Sequence, residues 1–396
     1  MAIYVCFLFE SREKIWGLTI PERIKRLLGP SVSILKDFSA LRPEDKVLFF
    51  RADYLLDDRL IKYLFSAEKD LILVKKEAGK EIPLAARVSA PLASQVRGFF
   101  EGRAPCPPSL PQEELSQVSA AFFKQLRKFE PPFAIKVTPS NRKEAEKRLY
   151  DWSYKGVTDL VTKWLWPQPA RYAVKLCVKL GLKPNHVTLF GAFLAVVAGY
   201  LFYRGHLVSG LVAAWVMTFL DTVDGKLARV TVTSSRFGHY FDHLIDLVHP
   251  PIWYILWALG TQKAGLYDLP YSISFLSLFL VGSYILERLV EGAFMARFGF
   301  EIFCWKPFDS YFRLFLARRN PCLLILTASL LLGEPAKGFL AVTVWMVLTA
   351  LILLLRLLWA LWVARGRPLK PWLAEIEKYS HKKRALRWFT RKVPSL

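Results

Sequence analysis

Between residues 186 and 364 the chain repeats apolar stretches of membrane-spanning length, separated by short polar joints. This part therefore reads as a set of transmembrane helices. Six spans fit, at roughly 186–203, 207–227, 238–260, 271–292, 321–336 and 338–363. The fifth is short unless it extends upstream past Asn320 or downstream to Lys337. Residues 1 to about 170 mix polar and apolar positions instead. The overall hydrophobic content of 53% is then an average over a soluble part and a membrane part.

The first residues do not read as a signal peptide, because the apolar run Ile3–Phe9 has no basic region before it and no small-residue cleavage pattern after it. It reads as a strand. A helix at Pro21–Leu28 and strands at Lys46–Phe50, Asp70–Lys75 and Phe133–Val137 continue an α/β rhythm, which implies a layered, partly parallel sheet. Pro107, Pro108 and Pro111 interrupt that rhythm, and Pro131, Pro132 and Pro139 mark the approach to its end. From 141 to about 180, Lys143, Lys147, Arg148, Lys155 and Lys163 alternate with Leu149, Trp152, Trp164 and Trp166, as expected of a helix lying in a membrane interface. The five cysteines are scattered without paired spacing and read as free thiols.

The net charge of +22 raises the possibility of nucleic-acid binding, but its placement argues otherwise. Arg297, Lys306, Arg313, Arg318 and Arg319 crowd one joint, and the tail from Arg365 to Lys392 is basic. Charge beside spans sets topology, so both termini and that joint are expected on the cytoplasmic face of a cell inner membrane. Trp372 and Trp388, among the tail's lysines and arginines, suggest contact with anionic lipid. No specific nucleic-acid partner is expected.

Chemistry concentrates in Asp221-Thr-Val-Asp224-Gly225-Lys-Leu-Ala228-Arg229, followed by Gly238, Asp242 and Asp246. On helices, Asp221 and Asp224 share one face and Asp242 and Asp246 another, so two facing helices would bring four carboxylates to one point. Four like charges near a membrane repel unless cations neutralise them. Oxygen ligands without a His or Cys cluster suit Mg²⁺ or Mn²⁺ and argue against zinc. Such ions hold diphosphates and stabilise phosphoryl transfer, which points to a pyrophosphate substrate. Gly225, Ala228 and Gly238 leave room for a ligand or a neighbouring helix, and Arg229 offers a fork for phosphate. Arg288, Arg313, Arg318 and Arg319, near Glu287, Glu291 and Asn320, are candidates to bind the phosphate of an acceptor.

The spacing resembles the signature of the CDP-alcohol phosphotransferase family, Asp-two-Asp-Gly-two-Ala-Arg-eight-Gly-three-Asp-three-Asp, matched by Asp221, Asp224, Gly225, Ala228, Arg229, Gly238, Asp242 and Asp246. Pro184-Asn185-x-x-Thr188 ahead of the first span and the six spans extend the resemblance over roughly 145–364. The resemblance implies that Asp221, Asp224 and Asp242 hold two metal ions. Asp246 would complete that site and act as base on the acceptor hydroxyl. It implies that the region of Gly225, Ala228, Arg229 and Gly238 receives the CDP portion, that CMP leaves, and that the protein is a homodimer.

The N-terminal part resembles the nucleotidyltransferase domain fused to some members, including the enzymes that make CDP-inositol and then di-myo-inositol phosphate phosphate. The resemblance rests on Val47-Leu-Phe-Phe-Arg-Ala-Asp53 followed by Asp57 and Asp58. It departs from that pattern at Glu10–Gly17, which has no Gly-rich loop to cradle phosphates, so a structural, regulatory or docking role is expected. Ser153–Leu160 resembles the fused enzymes' linker but has Leu160 where Gly is usual. The expected organisation is a degenerate nucleotidyltransferase-like α/β domain (1–138), a basic amphipathic linker and interfacial helix (139–185), a six-span α-helical domain (186–364) and a basic tail (365–396). The expected reaction transfers a phosphoalcohol, phosphatidyl from CDP-diacylglycerol first among them, to a small alcohol or alcohol phosphate. A soluble CDP-polyol donor is the alternative within the chemistry, and a noncatalytic scaffold or transporter the alternative outside it.

Overall fold

The computed structural model describes residues 2–390 apart from Glu10, Ala78, 119–121, Ser235, Arg367 and Ser380; the side chains of Ser116, Gln117, Arg236, Phe237, His239, Asp242 and Lys383 also lie outside the described residues. The chain divides into two units, one made of Met1–Phe123, Glu130–Tyr154 and Arg229–Thr233, the other of Lys124–Phe129, Lys155–Ala228 and Ser234–Leu396.

The N-terminal unit contains strands β1 (Ile3–Leu8), β2 (Ser33–Ile34), β3 (Lys46–Arg51), β4 (Tyr54–Leu56), β5 (Leu71–Glu77), β6 (Lys80–Ser89), β7 (Gln112–Glu114) and β8 (Ala134–Lys136). Six of them form a mixed sheet in the order β2-β1-β3-β6-β5-β7, and β4 pairs with β8 separately. Neighbours β1–β2, β1–β3 and β5–β7 are parallel, whereas β6 runs antiparallel to both β3 and β5. The register lines up Cys6, Phe49, Ala86 and Ile72 across four strands. Because side chains alternate along a strand, this row lies on one face, and all four residues are buried in the same core.

Helix α1 (Ile20–Leu28) starts where Thr19 and Glu22 form a reciprocal cap, and it buries Ile20, Ile24 and Leu28. Helices α2 (Asp58–Ser66), α3 (Ala93–Phe100) and α4 (Arg142–Trp152) complete the unit. Strand β6 has no counterpart among the sequence expectations, since it opens on Lys80-Glu-Ile-Pro83. Pro83 lies opposite Val74 at a register shift, a place where a missing N–H is tolerated.

The acids singled out in this unit are all taken by arginines. Arg51 grips Asp53 through Nε and Nη2 (2.9 and 2.8 Å), Arg59 pairs with the fully buried Asp57 (2.7 Å), and Arg23 pairs with Asp58 (2.7 Å). Downstream of β1, Trp16 is buried and its indole N–H donates to the Glu146 carbonyl at 2.9 Å. Arg23 and Arg26 also donate to the carbonyls of Val230 and Thr231, each at 2.8 Å, within the stretch that groups with this unit. Those carbonyls end a long helix and lack intrahelical partners.

The second unit is helical: α5 (Pro167–Lys179), α6 (Pro184–Tyr203), α7 (Leu207–Thr231), α8 (Arg236–Lys263), α9 (Ile273–Phe298), α10 (Pro307–Phe315), α11 (Arg319–Leu331), α12 (Pro335–Val363) and α13 (Lys383–Phe389). Among the described residues, α6, α7, α9 and α12 are long and apolar enough to cross a membrane, and α10 with α11, bent by 45°, would make a fifth span. These are the helices of a multi-pass membrane protein. The expected spans fall in order on α6, α7, α8, α9, α11 and α12. Helix α8 is as long as its neighbours but carries Asp242, His243, Asp246 and His249.

Helix α6 packs along α8, and α9 and α11 pack along α12. Buried indoles pin these contacts, Trp253 donating to the Ala195 carbonyl (2.8 Å) and Trp257 to that of Pro335 (2.9 Å). A Cβ at Gly260 would fall 1.6 Å from the Phe202 carbonyl oxygen, so only glycine permits α8 to reach the end of α6. Pro250 and Pro251 lie inside α8, and Pro251 cannot donate to the Leu247 carbonyl. The Tyr284 hydroxyl takes that acceptor at 2.8 Å.

The tail departs from the expectation of aromatic contact with lipid at one position. Trp372 is fully buried and donates to Ser310 Oγ at 2.9 Å, because its indole N–H finds a protein partner. Trp388 packs edge-on to Trp164 with centroids 5.1 Å apart.

Candidate active site

Three helices of the membrane unit bring charge to one place. Asp221 and Asp224 lie one turn apart on α7, Asp246 lies on α8, and Arg319 opens α11. The Arg319 guanidinium reaches Asp221 with one terminal nitrogen and Asp246 with the other. Two carboxylates from different helices thus converge on a single positive charge. Asp224 is buried, and Thr188 Oγ1 on α6 donates to it at 2.6 Å. Asp242 stands one turn before Asp246 on α8, with its side chain outside the described residues. Among the described residues no three His, Cys, Asp or Glu side chains form a metal set.

The rest of the signature lies along the same two helices, α7 and α8. Gly225 and Ala228 continue α7, Arg229 follows in the stretch grouped with the N-terminal unit, and Gly238 lies in the first turn of α8, one turn ahead of Asp242. Asn185 is exposed on the first turn of α6.

A cavity of about 390 Å³ borders Asp246 and is walled by Arg288, Arg313 and Arg318, with His243, Tyr284, Glu291, Glu301 and Arg127 among the other lining residues. Arg318 pairs with Glu291, and Arg288 lies between Glu287 (3.2 Å) and Glu291 (3.6 Å). Arg313 sits over the Phe303 ring, 5.3 Å from its centroid, and its Nε and Nη1 are buried without a hydrogen-bond partner. Buried guanidinium nitrogens in that state are costly unless an anion meets them. Arg319, grouped with these arginines on sequence grounds, points to the aspartates instead.

The start of α11 is anchored next to Arg319. The Asn320 amide donates to Asp159 Oδ1 (3.0 Å) and Thr162 Oγ1 (3.2 Å), and Asp159 also accepts from the Thr162 N–H (3.0 Å). Asp159, within the Ser153–Leu160 stretch that resembles the fused enzymes' linker, braces the helix that carries Arg319. His243, Glu301 and Arg127 belong to no spacing pattern, and only the folded chain places them at the cavity.

Residues 182–300 match the family model described as CDP-alcohol phosphatidyltransferase. That segment is homologous to the family. An archaetidylinositol phosphate synthase of Pyrococcus horikoshii is 35% identical over 121 residues, 30% of this chain and 60% of that protein. Phosphatidylinositol phosphate synthases of Mycobacteroides abscessus (39% over 72 residues) and Corynebacterium glutamicum (36% over 75 residues) match 18% and 19% of this chain and 33% and 34% of their own lengths. The chain thus spans 60% of the archaeal relative and about a third of these bacterial ones. The homologous segment holds all eight signature residues, and the homology gives family-level support for CDP-alcohol phosphotransferase-type chemistry.

Proposed function

We propose that the protein transfers a phosphatidyl-type group from CDP-diacylglycerol to the hydroxyl of a small alcohol phosphate, releasing CMP. The observation that carries this reading is the double exposure of Asp246, which converges with Asp221 on one cation and also borders the arginine-walled cavity. The donor set fits divalent cations, since a guanidinium already holds the place between two carboxylates and every candidate ligand is an oxygen. Asp221, Asp224, Asp242 and Asp246 would hold two ions, Mg²⁺ or Mn²⁺, which supply charge neutralisation for a diphosphate.

The acceptor sits in the cavity with its phosphate on Arg288, Arg313 and Arg318, whose forks suit paired hydrogen bonds to phosphate oxygens. Its hydroxyl gives its proton to the Asp246 carboxylate. The hydroxyl oxygen bonds to the donor's β-phosphorus as the bond from that phosphorus to the bridging oxygen breaks, and CMP departs with the bridging oxygen. The region of Gly225, Ala228, Arg229 and Gly238 receives the CDP portion. The active site and both termini face the cytoplasm across six spans, as the Lys/Arg distribution suggests. The protein works as a homodimer, as the family resemblance implies. The N-terminal unit has a structural or docking role, supported by the arginines that occupy Asp53, Asp57 and Asp58.

CMP release by the purified protein in lipid nanodiscs with Mg²⁺ or Mn²⁺ tests this. CDP-diacylglycerol and CDP-inositol are crossed against inositol phosphate, glycerol phosphate, serine and inositol. Release with CDP-diacylglycerol and a phosphorylated acceptor is expected. Release with CDP-inositol alone would move the donor to a soluble CDP-polyol, and release only with serine or inositol would remove the acceptor phosphate from the account.

A further inference from the structure

Arg127 lies outside the signature and outside the homologous segment, yet it lines the same cavity as Asp246, Arg288, Arg313 and Arg318. It belongs to Lys124–Phe129, a short stretch that groups with the membrane unit. Its backbone is in the left-handed region at φ 49°, which a non-glycine residue adopts at a cost. The conformation is held from both sides, with the Val157 N–H donating to the Arg127 carbonyl (3.1 Å) and the Gly156 N–H to that of Leu126 (2.8 Å). A Cβ at position 156 would fall 2.6 Å from the Arg127 carbonyl oxygen, so glycine is what lets the two backbones run this close.

Among the described residues, the guanidinium placed this way pairs with Glu301 at 2.7 Å. Glu301 is itself on the cavity wall and its side chain is 29% exposed, so water screens the pair. Among the described residues, the wall carries Arg127, Arg288, Arg313 and Arg318 beside Asp246, Glu291 and Glu301, with the buried Glu287 3.2 Å from Arg288. Arg127 is the cation brought to this wall by a segment foreign to the signature.

We propose that Arg127 is a specificity-determining residue that exchanges Glu301 for the anionic group of the acceptor, selecting phosphorylated acceptors. The inference rests on the acceptor reading above and goes past it in assigning part of the selection to the chain upstream of the spans.

Steady-state CMP release in nanodiscs, with CDP-diacylglycerol and either inositol phosphate or inositol, tests it in Arg127→Gln, Arg127→Lys and Glu301→Gln. Loss of a hydrogen bond to a charged group should raise the KM for inositol phosphate about 10- to 100-fold in Arg127→Gln, with a far smaller change in kcat. Arg127→Lys should recover part of that loss, and Glu301→Gln should move KM the opposite way by freeing the guanidinium. An unchanged KM in Arg127→Gln, or an equal rise for inositol and inositol phosphate, would overturn the proposal and leave Arg127 a structural residue. A wild-type protein that does not favour inositol phosphate over inositol would instead defeat the acceptor reading itself.

Discussion

At the scale of single residues, the proposed division of labour between Asp224 and Asp246 can be tested by measurement. Asp224 is buried against Thr188, whereas Asp246 borders the cavity, with its side chain 39% exposed. Asp246→Asn removes the proposed proton acceptor and is expected to reduce transfer by at least about 10²–10⁴-fold while leaving much of the CDP-donor binding. Asp224→Asn should reduce metal and donor binding together. Equal loss of donor binding in the two variants, read by titration with CDP-diacylglycerol, would remove the base role from Asp246. The aspartates were legible in the sequence because helical periodicity turns spacings of three and four into shared faces. Arg319 was legible as a charge near a span but not as the partner of Asp221 and Asp246, since that pairing joins residues 98 and 73 positions apart. Arg127 gave no signal at all, because a lone arginine in an ordinary loop has no periodicity to read.

At the scale of elements, the sheet of the N-terminal unit offers a test of its own. Asp70, just before β5, accepts from the Ser89 N–H (2.8 Å), Ser89 Oγ (2.6 Å) and Lys46 Nζ (3.0 Å), tying the end of β6 to β3. Burial alone would raise its pKa, but the hydrogen bonds from Ser89 and the Lys46 ammonium outweigh burial and hold the carboxyl below its ordinary range. A carboxyl depressed in the folded state stabilises at pH values above its unfolded pKa of about 4, and that stability is lost as pH falls through the depressed value. Asp70→Asn should therefore cost about 1–3 kcal/mol near neutral pH and flatten the acid dependence below about pH 4. Hydrogen exchange at the Ser89 amide between pH 6 and pH 2 would show it, and identical acid profiles in the two proteins would contradict it. The strands β1, β3, β5 and β8 were legible as apolar runs, whereas β6 was hidden by its polar opening and Pro83. Among the helices, α8 is the ambiguous one, because the acids, histidines and paired prolines it carries dilute the apolar signal of a span.

At the scale of the whole molecule, the change from mixed to apolar sequence correctly announced a β-sheet region followed by a multi-pass helical region. The number of spans was less legible, since among the described residues four helices qualify by length and apolarity, or five with the bent pair α10 and α11. Helix α11 ends at Leu331, and Gly333, at φ 75°, turns the chain before Pro335 starts α12, which shortens the stretch that the sequence suggested could run to 336. The unit boundaries are equally hard to read from composition, because Lys124–Phe129 and Arg229–Thr233 each group across the chain. We propose that a phosphoalcohol moves from a CDP donor to an acceptor at the Asp221–Asp246 site. This transfer is tested most directly with CDP-diacylglycerol carrying a radioactive β-phosphorus, incubated with the nanodisc protein, a divalent cation and inositol phosphate. Label in the lipid product, unlabelled CMP in equal amount, and loss of both in Asp246→Asn are expected. Label released as CDP or inorganic phosphate, or CMP formed without any labelled acceptor product, would contradict it.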